Sequence, residues 1–292
     1  MRVSRRTTLS LRAVALLYLG LMLVLPVAVV FWRTFEHGIG TAWGWMSTPA
    51  AISALSLSVL IAAIAVPLNT IFGVGCALVL VRGRRRAPLA PGAGVGARLA
   101  HGVHDRLVRL LDALIDLPFV VSPVIVGLAL LLVYGQTGWF GNWFANHGIR
   151  IIYAPTGMVL ATVFVSIPFV VREVAPVLIE VGDEQEQAAA TLGASPWQTF
   201  WRVTLPSIRW GVAYGVVLTT ARALGEIGAV LVVSSNVAGS TLTLPLLAYQ
   251  RYSQIGGDQI TGAYAAATEL AVMSLLVVLV MTVLGPRTAR AR

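Results

Sequence analysis

The sequence predicts an all-α integral membrane protein, and three observations support this class. Apolar residues make up 57% of the 292 residues and charged residues only 11%, whereas a soluble fold has about 45–50% and about 25%. The mean hydropathy is +0.83. Six apolar runs are long enough to cross a hydrocarbon core, which takes roughly 20 helical residues. Each run is expected to be helical, because lipid offers the backbone no hydrogen-bond partner and the alternation of a barrel strand is absent.

The six predicted spans cover most of the chain. The first run follows a basic stretch, but its apolar core is too long for a cleaved signal peptide and it ends at an aromatic anchor, so we expect it to be retained. We therefore predict a cytoplasmic segment at residues 1–12, a transmembrane domain at 13–285 and a cytoplasmic tail at 286–292. The predicted spans are Ala13–Trp32, Leu55–Val81, Ala113–Tyr134, Ile151–Val171, Trp210–Ser234 and Gly262–Leu284.

The distribution of arginine predicts the topology. All 21 basic residues are arginine. Seventeen of them lie on one predicted side of the membrane, in the two termini and in the connections Arg82–Arg109 and Arg172–Arg209. The opposite side has only Arg33, Arg150 and Arg251. By the positive-inside rule both termini are cytoplasmic, in a multi-pass protein of the cytoplasmic membrane. The connection Gly83–Ala100, rich in Gly, Pro, Ala and Arg, is predicted to be a flexible cytoplasmic stretch.

The composition also excludes several kinds of chemistry. A chain without lysine has no P-loop, and nothing in it resembles an ATPase domain, so any driving energy comes from another protein. The single cysteine, Cys76, provides neither a disulfide nor a thiolate cluster. His101 and His104 are two ligands without a third, which makes a poor metal site. We therefore expect no cofactor and no metal.

The segment at residues 183–206 carries the most specific pattern. Acidic residues followed by alanines favour a short helix, and Gly193 suits its left-handed end. Ser195 and Pro196 supply an N-cap and a first-turn proline for a second short helix, which Pro206 is expected to end. The acidic residues are Asp183, Glu184 and Glu186.

This cytoplasmic segment also presents an unusual apolar face. Trp197, Phe200 and Trp201 give it a large aromatic area. One interpretation is a docking surface for a partner protein. The other is that the aromatic rings lie in the lipid headgroup layer, where tryptophan is common.

The same segment resembles the cytoplasmic signature of ABC-importer permeases. That signature has Glu-Ala-Ala, three residues, Gly, nine residues, and Ile-x-Leu-Pro. Here Gln187-Ala188-Ala189, Gly193 and Val203-Thr204-Leu205-Pro206 keep the spacing, with Gln187 replacing the acidic residue and Val203 replacing isoleucine. The resemblance implies a six-helix permease of the type I importer architecture. It also implies that this segment is a coupling loop docking on a separate ATPase subunit, which would bind ATP and Mg²⁺.

Further motifs are similar to those of the sulfate/thiosulfate permease group. Asp116-Leu117-Pro118-Phe119 and Val171-Arg172-Glu173-Val174 favour its W-type subunit over the paired T-type subunit. The resemblance implies a second, T-type permease, two ATPase subunits and an external sulfate-binding protein, periplasmic or lipid-anchored. Molybdate permeases share the Leu224-Gly225-Glu226 segment, so a molybdate or other oxyanion permease is the alternative. Pro88–Ala100 is longer than the group requires and is expected to have no transport role.

Two charged residues are predicted inside the fifth span. Arg222 costs ~3 kcal/mol at the centre of a bilayer on insertion scales unless it is paired or hydrated, and Glu226, four residues on, lies on the same helical face. One hypothesis places this pair on the translocation pathway, where the guanidinium favours an oxyanion. The other is a structural pair that holds the fifth helix to its neighbours. Glu269 also needs a partner or water, whereas Asp112 and Asp116 are expected at the interface.

Small residues and prolines complete the predicted membrane features. Gly211 and Gly215 form one stripe for close helix packing, and Ala221, Gly225 and Ala229 form another. Three prolines are expected to interrupt the third and fourth spans. Broken helices can line binding sites in transporters, but single prolines are also common in membrane helices as kinks without a functional role. They are Pro118, Pro123 and Pro168.

Two other function classes fit less well. An intramembrane enzyme needs paired catalytic groups at membrane depth, but all four histidines lie outside the predicted spans. An ion-coupled secondary transporter would leave the segment at 187–206 without a role, and ATP dependence of uptake separates it from an ABC permease.

Overall fold

The computed structural model of the chain describes residues 5–84, 95–254 and 256–284, and within them every regular element is a helix. Two short π-helical turns, Gly20–Val24 and Phe200–Thr204, join α1 to α2 and α10 to α11. The helices are α1 Arg5–Leu19, α2 Leu25–Phe35, α3 Ile39–Met46, α4 Pro49–Arg84, α5 Val95–Val120, α6 Pro123–Tyr134, α7 Gly141–Asn146, α8 Pro155–Val181, α9 Glu184–Thr191, α10 Pro196–Thr199, α11 Leu205–Leu224, α12 Gly228–Val233, α13 Leu244–Ser253 and α14 Gly257–Leu284.

Four of the six predicted spans correspond to helices long and apolar enough to cross a membrane: the first, second, fourth and sixth. Between the second and third, α4 continues to Arg84 and α5 already begins at Val95. The predicted flexible stretch Gly83–Ala100 is therefore helical at both of its ends, and the rest of it, like the tail at 286–292, lies outside the described residues. The four spanning helices are Leu11–Phe35, Pro49–Gly83, Pro155–Val181 and Gly257–Val280.

The third predicted span is two helices. His101–Val120 and Pro123–Tyr134 together are long and apolar enough to cross, but they meet at 110°. Ser122 leaves the helical conformation with φ −57° and ψ 136°, and Pro123 begins α6. The residue before a proline is pushed out of the α region, which explains why the break lies here. The interruption predicted at Pro123 is therefore confirmed. Pro118 and Pro168, in contrast, lie inside the helices α5 and α8, so the prediction that these two prolines interrupt their spans is wrong.

The fifth predicted span is also broken. Helix α11 ends at Leu224, and the six-residue helix α12 begins at Gly228. Ala221 lies in α11, Ala229 in α12 and Gly225 between them, so the prediction that these three residues form one helical stripe is wrong. Hydropathy reports length and apolarity but not continuity, so it missed this break. The predicted count of six spanning helices is not confirmed: the described residues contain four, or five with the bent α5–α6 pair.

Helix α8 is packed between α4 and α11 at the centre of the fold. Val170 on α8 is fully buried, and a glycine faces it from each neighbour. A Cβ on Gly73 would lie 2.6 Å from the Val170 Cβ, and a Cβ on Gly215 would lie 3.0 Å from the Val170 Cα. A Cβ on Gly211 would lie 3.1 Å from the Glu173 carbonyl oxygen. The predicted Gly211–Gly215 stripe is confirmed as a surface for close helix packing.

Candidate functional site

The local structure of the loop at 183–206 follows its sequence. Helix α9 has Glu184 and Glu186 in its first turn, and Gly193 after it has φ +83°. Ser195 caps α10, since its hydroxyl accepts a hydrogen bond from the Gln198 backbone N–H while the Gln198 side chain accepts one from the Ser195 N–H. These predictions are confirmed, because helix caps depend on residues close together in sequence.

The expected role of Pro206 is wrong. The chain does not end a helix there but continues through the π-helical turn Phe200–Thr204 into α11, in whose first turn Pro206 lies. Proline has no N–H to donate inside a helix, and a π-type turn accommodates the lost bond without ending the helix. The loop at 183–206 is thereby joined directly to α11, and Leu205 packs against the buried apolar cluster that includes Val174 of α8 and Ile208 of α11.

The outer surface of the loop is apolar and exposed. Leu192 is 88% exposed, Trp197 70% and Trp201 50%. The Trp197 ring lies 5.6 Å from that of Trp201, edge to face. Ala188 is exposed and Ala189 half-buried, so both small side chains leave room for a close approach. The arrangement suits a protein partner that covers the aromatic rings.

On its inner surface, the loop is attached to α4 through the carboxylate of Glu186. Glu186 makes a two-pronged ion pair with Arg82 at the end of α4 and accepts a hydrogen bond from the Thr204 hydroxyl at 2.6 Å. Gln187, the residue at the acidic position of the family signature, instead donates to Asp183 at 3.0 Å on the exposed side. Sequence reasoning did not assign Arg82 a partner, because the pair joins positions 104 apart.

Arg222 and Glu226 are brought together as their spacing predicted. The Arg222 Nη2 atom lies 2.6 Å from the Glu226 Oε2 atom. Glu226 follows the end of α11 rather than lying within a continuous helix, and its Oε1 atom accepts a hydrogen bond at 2.9 Å from the Ala229 N–H in the first turn of α12. The Glu226 residue is only 2% exposed. One buried carboxylate therefore neutralises a guanidinium and caps a helix at the same break.

The Arg222 side chain borders a cavity of about 370 Å³ at the α5–α6 bend. The bend contributes residues 118–123, and α8 contributes Val165 and Phe169. Arg222 is the only charged residue among the described side chains that line this cavity. A partly open cavity that is bordered by a guanidinium and lies beside broken helices can accommodate an anion.

A second charged cluster, missed from the sequence, joins α5 to α8. Arg172 donates from Nε to Asp116 at 2.9 Å and from Nη2 to Asp112 at 3.3 Å. Phe119 and Phe169 meet edge to face nearby, with ring centroids 5.3 Å apart. The two motifs that carry the W-type resemblance therefore contact one another, and Asp112 and Asp116 are ion-paired rather than simply interfacial.

Arg251, predicted on the external side, is 5% exposed. It donates to the Gly262 carbonyl oxygen at 3.0 Å and to the Thr48 hydroxyl at 2.9 Å, and it lies 5.0 Å from the ring centroid of Trp45. Burial lowers the pKa of the Arg251 guanidinium, and the charge of Glu269 acts in the opposite direction. Glu269 thus has an electrostatic partner that its own sequence surroundings did not reveal.

Comparison with known proteins identifies relatives over almost the whole chain. The family described as "Binding-protein-dependent transport system inner membrane component" matches residues 92–290. "Sulfate transport system permease protein CysW" of Synechocystis sp. is 46% identical over 94% of this chain and 92% of its own length. CysW of Escherichia coli is 40% identical over 93% and 85%, and the CysT protein of Synechocystis sp. is 35% identical over 94% and 90%.

Solved structures share the fold. A chain of a bacterial alginate ABC transporter, in complex with an alginate pentasaccharide-bound periplasmic protein, superposes with a TM-score of 0.71 at 15% identity, over 97% of this chain and 95% of that chain. A chain of the MetNI methionine ABC transporter has a TM-score of 0.57 at 17% identity, over 80% and 93%. At these identities the likeness concerns the arrangement of helices alone.

Proposed function

Because the chain belongs to the family of binding-protein-dependent transport system inner membrane components, we propose that it is the sulfate-translocating permease subunit of an ATP-driven importer. The observation that carries this proposal is the 46% and 40% identity to sulfate permease proteins named CysW, over at least 85% of their lengths. The chain is a non-catalytic, multi-pass subunit of the cytoplasmic membrane. ATP and Mg²⁺ are bound by the partner ATPase subunits.

The proposed topology has six crossings and both termini in the cytoplasm. Six crossings result if the bent α5–α6 pair crosses once and α11 with α12 crosses once, in addition to the four long helices. The arginine excess of 17 against three supports the cytoplasmic termini. The proposed partners are a second, T-type permease, two ATPase subunits and an external sulfate-binding protein. The match to both CysW and CysT relatives supports a pair of related permeases.

The loop at 183–206 is proposed to be the coupling loop. The exposed aromatic surface supports this role. The residues of the family signature are placed together, since Gln187, Ala188 and Ala189 lie on α9 and Gly193 follows its end. Closure of the ATPase subunits would push on this loop, and the loop would move α11 directly, since the helix continues past Leu205 and Pro206. The result is alternating access by rigid movements rather than chemistry by this chain.

Arg222 and Glu226 are proposed to border the translocation pathway. The guanidinium attracts a sulfate dianion into the cavity at the α5–α6 bend, and Glu226 competes for the same guanidinium so that the anion is released. A site for transport needs this balance, because an uncompensated cation in a low-dielectric region would hold a dianion too tightly. Support comes from the 2.6 Å ion pair and the exposure of Arg222 to the cavity.

The test is uptake of radiolabelled sulfate into vesicles that contain this chain, its partner permease, the ATPase and the binding protein. We expect uptake that requires ATP and is inhibited by unlabelled sulfate more strongly than by molybdate. Ala188→Trp is expected to abolish it, since the bulky side chain obstructs the partner. Uptake without ATP would overturn the importer proposal, stronger inhibition by molybdate would overturn the substrate, and full uptake by Ala188→Trp would overturn the coupling loop.

A further inference from the structure

We propose that Glu186 is a positioning residue that fastens the coupling loop to the end of α4, so that a push on the loop moves α4 together with α11. The name Glu186 bridge is used here for the contacts among Arg82, Glu186 and Thr204. This inference rests on the proposed function of the loop as the contact with the ATPase. It adds a second route of transmission besides the continuous chain into α11.

The Glu186 bridge joins three separate segments. Both oxygens of the Glu186 carboxylate face the Arg82 guanidinium on the last turn of α4, and the Oε1 atom also accepts the Thr204 hydroxyl bond from the π-helical turn, at 2.6 Å. The Glu186 side chain is 15% exposed and that of Arg82 37%. A two-pronged arginine–carboxylate pair fixes orientation as well as distance, so α9 is held to α4 in one geometry.

The main chain alone does not provide this connection. Helix α9 is bounded by Gly182 with φ +76° and Gly193 with φ +83°. Glycine is conformationally permissive, so its two joints resist bending poorly. Side-chain contacts from α9 to the bundle therefore help α9 to move with it. Glu186 makes such a contact with Arg82 of α4.

Helix α4 is well placed to distribute such a movement. It packs along α8 and also against α11, and Leu80 and Val81, beside Arg82, are buried in the same apolar cluster as Val174 and Ile208. A displacement of the α4 end therefore passes into the centre of the fold. Without the bridge, the push enters the bundle through α11 and no longer directly at the end of α4.

The position of the acidic residue is consistent with this role. The family signature has its acidic residue at the position of Gln187, and Gln187 is exposed. In this chain the carboxylate of α9 that contacts the bundle is one position earlier and points inward. Glu180, near the end of α8 and outside the loop at 183–206, is exposed and offers a control.

The experiment compares variants in the full importer, reconstituted with its binding protein in proteoliposomes, and measures ATP hydrolysed for each sulfate transported. Glu186→Gln removes the charge but keeps the shape, and Arg82→Gln removes the other half of the pair. We expect each to raise the ATP-to-sulfate ratio by roughly threefold to tenfold, with the ATPase still co-purifying. Glu180→Gln is expected to leave the ratio unchanged. The exchanged pair, Arg82→Glu with Glu186→Arg, is expected to recover part of the coupling.

Several results would overturn the inference. An unchanged ratio in both single variants means that the bridge carries no coupling. Loss of ATPase co-purification in Glu186→Gln means that Glu186 docks the partner instead of positioning the loop. If Glu186→Gln, Arg82→Gln and Thr204→Val all fail to assemble, the bridge is only structural. Failure of the proposed function looks different, since then the unaltered chain itself shows no ATP-dependent sulfate uptake.

Discussion

Arg172 on α8 holds the Asp116 carboxylate on α5, 56 positions earlier in the chain, with the Nε–Oδ1 distance at 2.9 Å. Asp112, one turn before Asp116, approaches the same guanidinium at 3.3 Å. The pair stands just before the α5–α6 bend, beside the contact of Phe119 with Phe169. Its position ties the bent helix pair to the central helix.

Breaking this pair should loosen the attachment of α5. We expect Arg172→Ala to lower the free energy of unfolding by about 1 kcal/mol, since the groups are partly exposed and solvent screens them. Arg172→Lys should recover only part of the loss, because an ammonium cannot reproduce the two-pronged geometry. Thermal unfolding of the purified protein, followed by intrinsic tryptophan fluorescence, measures both. Arg109→Ala, at an exposed position on α5, is the control, and an equal loss there would contradict the prediction.

The close packing at Val170 predicts a sharp difference between two glycines of α4. In Gly73→Ala the new Cβ would lie 2.6 Å from the Val170 Cβ, so the helices must separate, at a cost of about 1–3 kcal/mol. Gly75→Ala meets nothing within 4 Å and should be neutral or slightly stabilising, because alanine favours helix more than glycine. Thermal unfolding in the same detergent compares them, and equal unfolding temperatures would refute the packing explanation.

Charge-neutral variants distinguish a pathway role of Arg222 and Glu226 from a purely structural one. Arg222→Gln should reduce sulfate uptake about tenfold or more, because it removes the cation that borders the cavity. Glu226→Gln keeps the acceptor for the Ala229 N–H but leaves the guanidinium unpaired.

The double variant, Arg222→Gln with Glu226→Gln, decides between the two roles. It should regain the unfolding temperature of the parent, since neither charge is then left alone, yet uptake should stay low. Recovery of uptake together with stability would show that the pair is structural only. Both properties are measured on the same preparations.

The aromatic face of the loop predicts a docking hot spot. Trp197→Ala should weaken binding of the ATPase subunit by about 2 kcal/mol, the usual size of a tryptophan hot spot. Trp139→Ala is the matched control, because Trp139 is 88% exposed and lies outside the loop. The affinity is measured as binding between the detergent-solubilised permease and the purified ATPase subunit. If both variants bind equally well, the rings serve the lipid headgroup layer instead.

Features set by neighbouring residues could be predicted from the sequence. The N-cap at Ser195, the left-handed Gly193 and the Arg222–Glu226 pair each depend on positions within four residues of one another. A hydropathy window, in contrast, averages over a whole span. It therefore could not detect the break after Leu224, where the helix ends within an apolar run, whereas Pro123 did predict the break at Ser122.

Contacts between distant segments could not be predicted from a single sequence. The pairs Arg172–Asp116 and Arg82–Glu186 join residues 56 and 104 positions apart. Their charges are visible in the sequence, but any arginine could be matched with any carboxylate until the helices are packed. The π-helical turn before Pro206 was missed for a different reason: a proline in a helical pattern usually signals an end, and here the backbone register changes instead.

Gly73 of α4 and Gly215 of α11 both pack closely against Val170 of α8, and this packing limits how the molecule can change shape. α8 cannot slide along either neighbour without first lifting both away from Val170. During a transport cycle the three helices would consequently turn as one block, and the bending would fall to the two places where the helical backbone is already interrupted, around Ser122 and between Leu224 and Gly228. Arg222 and the cavity at the α5–α6 bend lie beside these two interruptions. The proposed anion site would therefore change shape where the backbone bends.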